Sequence, residues 1–414
     1  MIKNPITALS LLLLSACTTG QTDTDTGTNA RELSVSNPLE TAQHDAAFTV
    51  PAALVADGKL AGVHFLQNGD EVPYQTVDTD GDDRDDAYLL MLSMEGEAQT
   101  TVSALPLDGE TPPSFPARTQ AELSHKINGS WKDREYMEGE FMNVDSMRVP
   151  DEHTDHSWYI RYEGPGWESD LVGYRFYLDW RNATDVYGKK RPDMVLQDVG
   201  QDGFDSYHEP SDWGMDILKV GSSLGLGSLA TWTDDRALRV ETTDSVTSKI
   251  AENGPLRSKI RTRYYGWEAH DQKTDVVSEL SIEAGSRMTR HDVQLSEALP
   301  NLATGIVKLE TGEVFRGQAG DYAYVATYGD QSLVDDGLGL AILYRIEDLI
   351  EVTEDEHSHV VVLRPDAENR LTYYFLAAWT QEIDAITSQS DFKTYLDEQL
   401  ERLTHPLEVK VSAR

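Results

Sequence analysis

Ser258-Lys259-Ile260-Arg261-Thr262-Arg263-Tyr264-Tyr265 and, shortly after it, Val276-Val277-Ser278-Glu279-Leu280-Ser281-Ile282 alternate polar and apolar side chains almost residue by residue. Period two places successive side chains on opposite faces of an extended strand, whereas a helix groups residues three and four apart. Aromatic and β-branched side chains suit such a pleated surface. The same rhythm runs through Tyr159-Ile160-Arg161-Tyr162 and Val172-Gly173-Tyr174-Arg175-Phe176-Tyr177-Leu178. Nearer the N-terminus, Ala47-Phe48-Thr49-Val50, Gly62-Val63-His64-Phe65-Leu66, Tyr88-Leu89-Leu90-Met91-Leu92 and Thr101-Val102-Ser103-Ala104-Leu105 are strand-sized runs between turn signals. Pro112-Pro113 and Pro116 separate the two groups. One good helix is expected, because Phe392, Tyr395, Leu396, Leu400 and Leu403 recur at helical spacing, with Ser390-Asp391 offering a cap and Pro406 a stop. The expectation is a mainly β chain, with a small β-sandwich module over 34–120 and a large antiparallel β-sandwich over 126–414 that carries the C-terminal helix.

The first residues read as an address. Met1-Ile2-Lys3-Asn4 is a short basic segment, and the apolar run from Ile6 to Leu14 is too short to span a bilayer. Leu14-Ser15-Ala16-Cys17 looks like a bacterial lipobox, so 1–16 is expected to be a lipoprotein signal peptide and Cys17 the lipidated residue. Several acyl chains on one N-terminus make a stable anchor. Residues 17–33 are Thr/Asp/Gly-rich and read as a polar tether. Thr18 follows the cysteine where an inner-membrane protein would carry Asp, which points to the outer membrane, with the protein facing the periplasm or the cell surface. The lipid anchor is the membrane contact expected, and a monomer is expected.

Composition narrows the function. The chain has 414 residues, 35 Lys and Arg against 72 Asp and Glu, and a net charge of −37. Nucleic acid is excluded as a partner for the surface at large, since binding phosphate backbones needs positive charge. A single Cys excludes an internal disulfide. The acidity is uneven: residues 172–263 hold 13 basic and 14 acidic side chains, leaving 22 against 58 for the rest. Within that stretch Arg257, Lys259, Arg261 and Arg263 alternate and would share one sheet face. A basic patch on an acidic protein focuses anionic ligands.

The same region has the densest chemistry. Trp167-Glu168-Ser169-Asp170, Tyr174-Arg175, Asp179-Trp180-Arg181, Asp185 to Arg191, Tyr207-His208, Trp213-Gly214-Met215-Asp216, Lys219 and the glycine run Gly221 to Gly227 interleave aromatic with ionisable groups. Aromatic faces suit sugar rings, and Arg or Lys suits carboxylates. The glycine run lacks the Gly-Lys-Ser/Thr ending of a phosphate loop. Elsewhere, Asp78, Asp80 and Asp82 surround a Gly turn as ligands of a candidate structural calcium, although Leu89 stands where an EF-hand has its bidentate Glu. His153 with His156, and His357 with His359, are weaker candidate metal pairs against a reading as exposed polar turns. No cofactor is required by the chemistry below.

Taken jointly, Trp167 to Asp170 with Tyr174-Arg175, Asp185 to Lys189, Tyr207-His208 followed by Asp216, Val220 to Ser223 with Gly225 and Gly227, Asn253 to Arg257, and Ala377-Ala378-Trp379 resemble the bacterial domain-of-unknown-function family numbered 4861, over most of the chain. The chain departs from that pattern at Ser169, where many members have Asn, and at Ser211 and Trp213, where they have His and Glu. The resemblance implies an exported protein associated with degradation of pectin- or alginate-like polysaccharides. It also implies a sandwich like that of galactose-mutarotase-like carbohydrate enzymes.

Three functions follow as expectations. A polysaccharide lyase acting on a uronate-containing glycan needs a neutralised carboxylate, a base for the C5 proton and an acid for the leaving oxygen. His208 is the expected base, Tyr207 or Tyr174 the acid, with Asp216 in the same catalytic group. Arg175 with Lys219 or Arg257 would meet the carboxylate, while Trp167, Trp213 and Lys189 would line the substrate groove. Uronate epimerisation needs nearly the same parts. A glycoside hydrolase would pair Asp216 with Asp179, Asp185 or Glu209. A glycan-binding lipoprotein would need the groove and no tuned base.

Overall fold

The computed structural model describes residues 30–55, 60, 62–107, 109 and 111–413. The expected signal peptide over 1–16, Cys17 and residues 17–29 of the expected tether lie outside the described residues. The chain is mainly β and its strands pair antiparallel throughout the named ladders. The long alternating segments form the centre of a nine-stranded sheet in the order Ser146–Arg148, Ser245–Asn253, Arg257–Ala269, Gln272–Glu283, Met288–Leu295, Arg370–Trp379, Gly337–Arg345, Tyr322–Asp330, Glu313–Ala319. Two five-stranded sheets form the opposing layer. One runs Gly214–Asp216, Thr184–Lys189, Val172–Phe176, Gly166–Ser169, Thr119–Glu122, and the other Arg236–Arg239, Ala230–Thr233, Leu302–Val307, Ser358–Leu363, Leu349–Glu354.

The glycine run joins these two sheets. Gly225 bridges Thr184 and Leu226 bridges Ile306. Gly225 has φ +56°, and a Cβ there would sit 2.1 Å from the Thr184 carbonyl oxygen; at Gly227, φ +77°, it would meet the Phe375 ring at 2.2 Å. Only glycine fits a backbone that is left-handed and this close to its neighbours. The glycine run is therefore a seam of the sandwich.

Between the layers, Trp167, Tyr174, Ile217, Leu302 and Val361 interdigitate with Ile260, Leu280, Val325, Leu340 and Phe375 in one core. The helix Gln389–Thr404 covers part of the outer face of the nine-stranded sheet. Ser388 caps it by accepting from the Asp391 N–H, two residues before the expected cap. Phe392, Leu396 and Leu400 are fully buried against Tyr324, Leu343 and Leu376, each burial contributing about 1.5–3 kcal/mol before the entropy of ordering.

Strands Arg31–Ser36, Gln99–Pro106, Val63–Gln67 and Asp70–Glu71 make one sheet of a smaller sandwich, and Gln43–Pro51, Ala87–Met94 and Tyr74–Val77 the other. The boundaries differ from those read off the sequence. Strand pairing begins at Arg31, inside the stretch read as tether, and the last strand, Glu408–Ala413, returns to pair with Arg31–Ser36. Thr119 and Gln120 belong to the large sandwich through Gly166–Ser169. The two sandwiches share a small apolar contact of Val77, Leu89 and Met91 with Leu256 and Ala284. There Gln75 Oε1 accepts the N–H groups of Leu256 and Arg257 at 2.9 Å each.

Candidate functional site

Strand parity decides which side chains meet. In the five-stranded sheet built around Val172–Phe176, Trp167, Tyr174, Phe176, Val186 and Met215 point to the core. Their neighbours Glu168, Arg175, Asp185, Tyr187, Lys189 and Asp216 point the other way. That outer face is nonetheless dry, with every residue of Gly166–Ser169, Val172–Phe176 and Thr184–Lys189 buried. The cover is the excursion over residues 190–213. Leu196, Val199 and Tyr207 pack on Tyr162 and Tyr187, with Phe204 and Trp213 at the margin.

Polar contacts pin this cover. Glu168 Oε1 accepts the N–H groups of Val195 and Leu196 at 2.8 Å each, while its Oε2 takes Lys189 Nζ at 2.6 Å. The buried Arg161 guanidinium donates to the carbonyls of Leu196, Gln197 and Val199 at 2.7–3.2 Å. The later part of the excursion carries the single turn Ser206–His208, which aims Tyr207 inward and leaves His208 at the surface.

Arg175 is the hub. Its Nη2 donates to Asp185 Oδ2 at 2.7 Å and to Asp216 Oδ2 at 2.6 Å, and its Nη1 donates to the Tyr207 hydroxyl at 2.9 Å. The Tyr177 hydroxyl also donates to Asp185. Two carboxylates, each 1% exposed, therefore share one guanidinium. Burial and the charge of Asp216 push Asp185 up to about 6 despite Arg175. Burial pushes Tyr207 up to about 12, so it stays a neutral phenol.

The chain of contacts reaches solvent through His208. Its Nε2 lies 3.3 Å from Asp216 Oδ2, and its Nδ1 lies 2.6 Å from the Phe204 carbonyl oxygen. Both partners are acceptors, so the imidazolium satisfies both contacts and the neutral ring only the one at Nδ1. The Asp216 hydrogen bond accordingly raises the His208 pKa, against partial burial. In the neutral tautomer Nδ1 keeps its proton on Phe204 and Nε2 is the free base.

A second ionic group adjoins the first across the Tyr177 ring, with Arg175 on one side and Arg181, 3.7 Å from the ring centroid, on the other. Arg181 binds Asp155 at 3.1 Å and Glu163 at 2.9 Å, and also Asp179. Burial pushes Glu163 up, but Arg181, Arg175 and the His156 N–H outweigh it and hold the carboxyl at about 2. Non-glycine left-handed backbone accumulates here, at His156 (φ 57°), Trp158 (62°), Tyr162 (37°) and Glu163 (71°). Such conformations cost free energy and gather where a site must hold its shape. They present a rim on which Trp158 stacks on Phe204 at 4.8 Å, His156 meets Phe204 at 4.9 Å, and Tyr207 lies under His208 at 4.7 Å.

The model of the family described as Domain of unknown function (DUF4861) matches residues 35–409. The chain belongs to the DUF4861 family. A curated relative, named Uncharacterized protein P7, from Formosa agariphila, is 24% identical over 217 residues, which are 50% of this chain and 52% of that protein. The chain thus spans about half the length of the curated relative it matches. Among solved structures it is similar to a glycosyl hydrolase family 38 protein from Enterococcus faecalis, with TM-score 0.46, 10% identity, and coverage of 94% of this chain and 48% of that one. An α-mannosidase from Enterococcus faecalis V583 gives TM-score 0.44, 10% identity and coverage of 93% and 46%.

Against this geometry the residues singled out in the DUF4861 chain divide. Arg175, Tyr207, His208 and Asp216 converge. Tyr174 does not: its hydroxyl donates to the Arg287 carbonyl at 2.6 Å and accepts from the Ala377 N–H at 3.0 Å, deep in the core. Trp167 is fully buried and donates to Thr289, so neither it nor Tyr174 can touch a glycan. Lys189 is buried on Glu168 and the Ser169 carbonyl. Arg257 lies in the nine-stranded sheet, paired with Glu252 at 2.7 Å. Trp213 is partly buried against Tyr187, and Lys219 is exposed. Arg175 is buried with its Nε, Nη1 and Nη2 engaged by Asp185, Tyr207 and Asp216, so it organises the centre and has no fork free for a substrate carboxylate.

Of the histidine pairs, His153 is buried and bonded to Ser157, His357 is exposed, and His359 faces Glu354 at 3.5 Å. Asp155, His156 and Glu163 bring three ligand-type atoms within 4.8 Å, but the Arg181 guanidinium already binds both carboxylates. Asp78, Asp80 and Asp82 also lie within 4.8 Å of one another, with Asp78 accepting the Gly81 and Asp83 N–H groups. Glu163, Trp158 and Phe204 carry no local signal in the sequence, whereas Tyr177 and Tyr187 stand within quoted segments without a site role. Parity alone would have found Tyr177 and Tyr187, which share a face with Arg175 and Asp185. The contribution of Trp158 and Phe204 depends on loop placement.

Proposed function

We propose that this chain is an exported, lipid-anchored protein that acts on uronate-containing glycans of pectin or alginate type by β-elimination at the His208 rim. The observation that carries the reading is a surface imidazole backed by a buried carboxylate, Asp216, beside the half-buried rings of Trp158 and Phe204. Neutral His208 takes the C5 proton of the uronate on Nε2 once the ring swings that nitrogen from Asp216 Oδ2 toward the substrate. The C5–H electron pair forms the C4=C5 bond, the C4–O bond breaks, and the imidazolium returns its proton to the leaving oxygen. Asp216 stabilises the imidazolium formed between these steps and is a positioning residue. Tyr207, 2% exposed and bonded to Arg175, ties the ring to the ionic hub instead of serving as the acid. Of the three cations expected at the uronate carboxylate, Arg175, Lys219 and Arg257, Lys219 is the exposed one.

Hydrolysis is less well supported, because Asp179, Asp185 and Asp216 are buried and held by Arg181 or Arg175, which leaves Glu209 as the one exposed carboxylate of the four. One observation favours a second reading, a glycan-binding protein without turnover: the ionic centre is paired throughout. The test is digestion of polygalacturonate and alginate, followed by absorbance at roughly 235 nm, where unsaturated uronates absorb, with His208→Ala as control. New reducing ends without absorbance would replace elimination by hydrolysis, and retention of glycan with neither signal would establish the second reading. Anchoring is tested by incorporation of a labelled fatty acid that Cys17→Ser abolishes. The proposed calcium at Asp78, Asp80 and Asp82 requires a melting temperature that rises with calcium and falls with chelator.

A further inference from the structure

On the outer face of the nine-stranded sheet, opposite the layer that carries His208, lies a cleft of about 420 Å³ over the paired strands Ser146–Arg148, Ser245–Asn253 and Arg257–Ala269. Register fixes its lining. Arg148, Thr247 and Arg263 stand on one rung, and Ser146, Lys249 and Arg261 on the next; directly paired residues of antiparallel strands share a face. Asp83, from the acidic turn of the smaller sandwich, closes one side.

Four cations here face one carboxylate in the lining, on a chain whose net charge is −37. Arg261 is engaged by Glu279 and Asp83, and Lys249 by Asp83 at 2.7 Å. Arg148 makes only a solvent-exposed pair with Asp151, and such pairs contribute little. Arg263 is exposed and makes no ion pair among the described residues. Tyr265, two residues on and on the same face, leaves 40% of its surface open, and the hydroxyls of Ser146 and Thr247 flank the guanidinium groups.

We infer that this cleft binds the carboxylate groups of an acidic glycan chain, at a site remote from the His208 rim. The choice of glycan rests on the proposed function; the charge and shape of the cleft do not. Guanidinium forks match carboxylate geometry. Adjacent hydroxyls and an exposed phenol ring suit sugar. A second hold on the same polymer raises its effective concentration at the first.

The test is equilibrium titration of full-length protein carrying His208→Ala with a polygalacturonate oligosaccharide, with and without Arg148→Ala and Arg263→Ala together. Both side chains are exposed, so the variants fold, and matched thermal melts verify it. The pair of substitutions weakens binding about tenfold and flattens its salt dependence, and a neutral xylo-oligosaccharide shows no Arg-dependent binding. Unchanged affinity in the double variant overturns the inference. So does Arg-dependent binding of inorganic sulfate or phosphatidylglycerol vesicles as tight as that of the oligosaccharide. The two readings fail separately: absent turnover with Arg-dependent binding removes elimination and keeps the cleft, whereas turnover with Arg-independent binding does the reverse.

Discussion

Replacing Arg175 by Met tests the ionic hub most directly. Asp185 and Asp216, each 1% exposed, would face each other without the cation they share at 2.7 and 2.6 Å. Removing one partner of a buried ion pair costs about 3–5 kcal/mol, because the remaining charge stays desolvated. The large sandwich spans roughly 290 residues, and at about 2.1 cal/mol/K per residue its melting entropy is about 0.6 kcal/mol/K, so the expected drop is about 5–8 °C. The deficit depends on pH in a definite direction. Asp185 already sits at about 6, above the ordinary 3.8, because burial and Asp216 oppose its ionisation. A carboxyl raised in the folded state binds more protons there than in the unfolded chain, so its contribution to stability is lost as pH rises through the folded pKa. Without Arg175 the Asp185 carboxyl is pushed up further, and the variant's deficit must shrink from pH 8 to pH 5 as it takes up a proton. Differential scanning calorimetry of wild type and variant at both pH values reads this out. Adding Asp216→Asn should restore part of the loss, since it removes the second unpaired charge. A variant that melts within about 2 °C of wild type at pH 8, or a deficit indifferent to pH, would refute the account.

Three further outcomes follow from the same contacts. In Asp216→Asn the largest cause raising the His208 pKa is gone, so its NMR titration should move to lower pH; the acid limb of any elimination activity should move with it, and an unmoved titration would dissociate the two residues. Because His208 is 39% exposed, its stabilising share, present below the unfolded pKa and lost as pH rises through the folded one, stays within the ~0–1 kcal/mol of solvent-screened pairs. Tyr174→Phe should leave glycan binding and turnover unchanged while costing about 1–3 kcal/mol for the orphaned Ala377 N–H and Arg287 carbonyl; loss of turnover at unchanged stability would return Tyr174 to the site. Lys189→Met should leave Glu168 as an unpaired buried charge and loosen the 190–213 cover that Glu168 holds at Val195 and Leu196, read as faster limited proteolysis within that segment.

Much of the site was legible as composition and much less as geometry. Arg175, Tyr207, His208 and Asp216 were identifiable because ionisable and aromatic residues crowd a stretch of near-neutral charge within an acidic chain. Assigning Tyr174 alongside Arg175 overlooked parity, since adjacent residues of one strand cannot share a face. Tyr177 and Asp185 lie on the face of Arg175 for the same reason that Tyr174 does not. No local rule places the His156–Glu163 segment, whose left-handed backbone brings Trp158 and Glu163 to the rim, or the cation that answers each buried carboxylate.

By itself the sequence determined the β character of the chain, the position of its long helix to within two residues at the cap, and its family. These rest on short-range periodicity and on motif spacing, which the chain carries whatever its surroundings. Tertiary structure alone decided which strand face meets water. The polar face of Val172–Phe176 and Thr184–Lys189 would be solvated in an isolated sheet; it is dry because residues 190–213 fold across it. That cover turns a row of ordinary charges into a buried network with one outlet, at His208. Tertiary structure likewise returned Glu408–Ala413 to the N-terminal sandwich and put Arg257 and Arg263 on the far side of the molecule from Arg175. Alternation states that two faces differ, and only the segment that arrives from elsewhere in the chain settles what each face becomes.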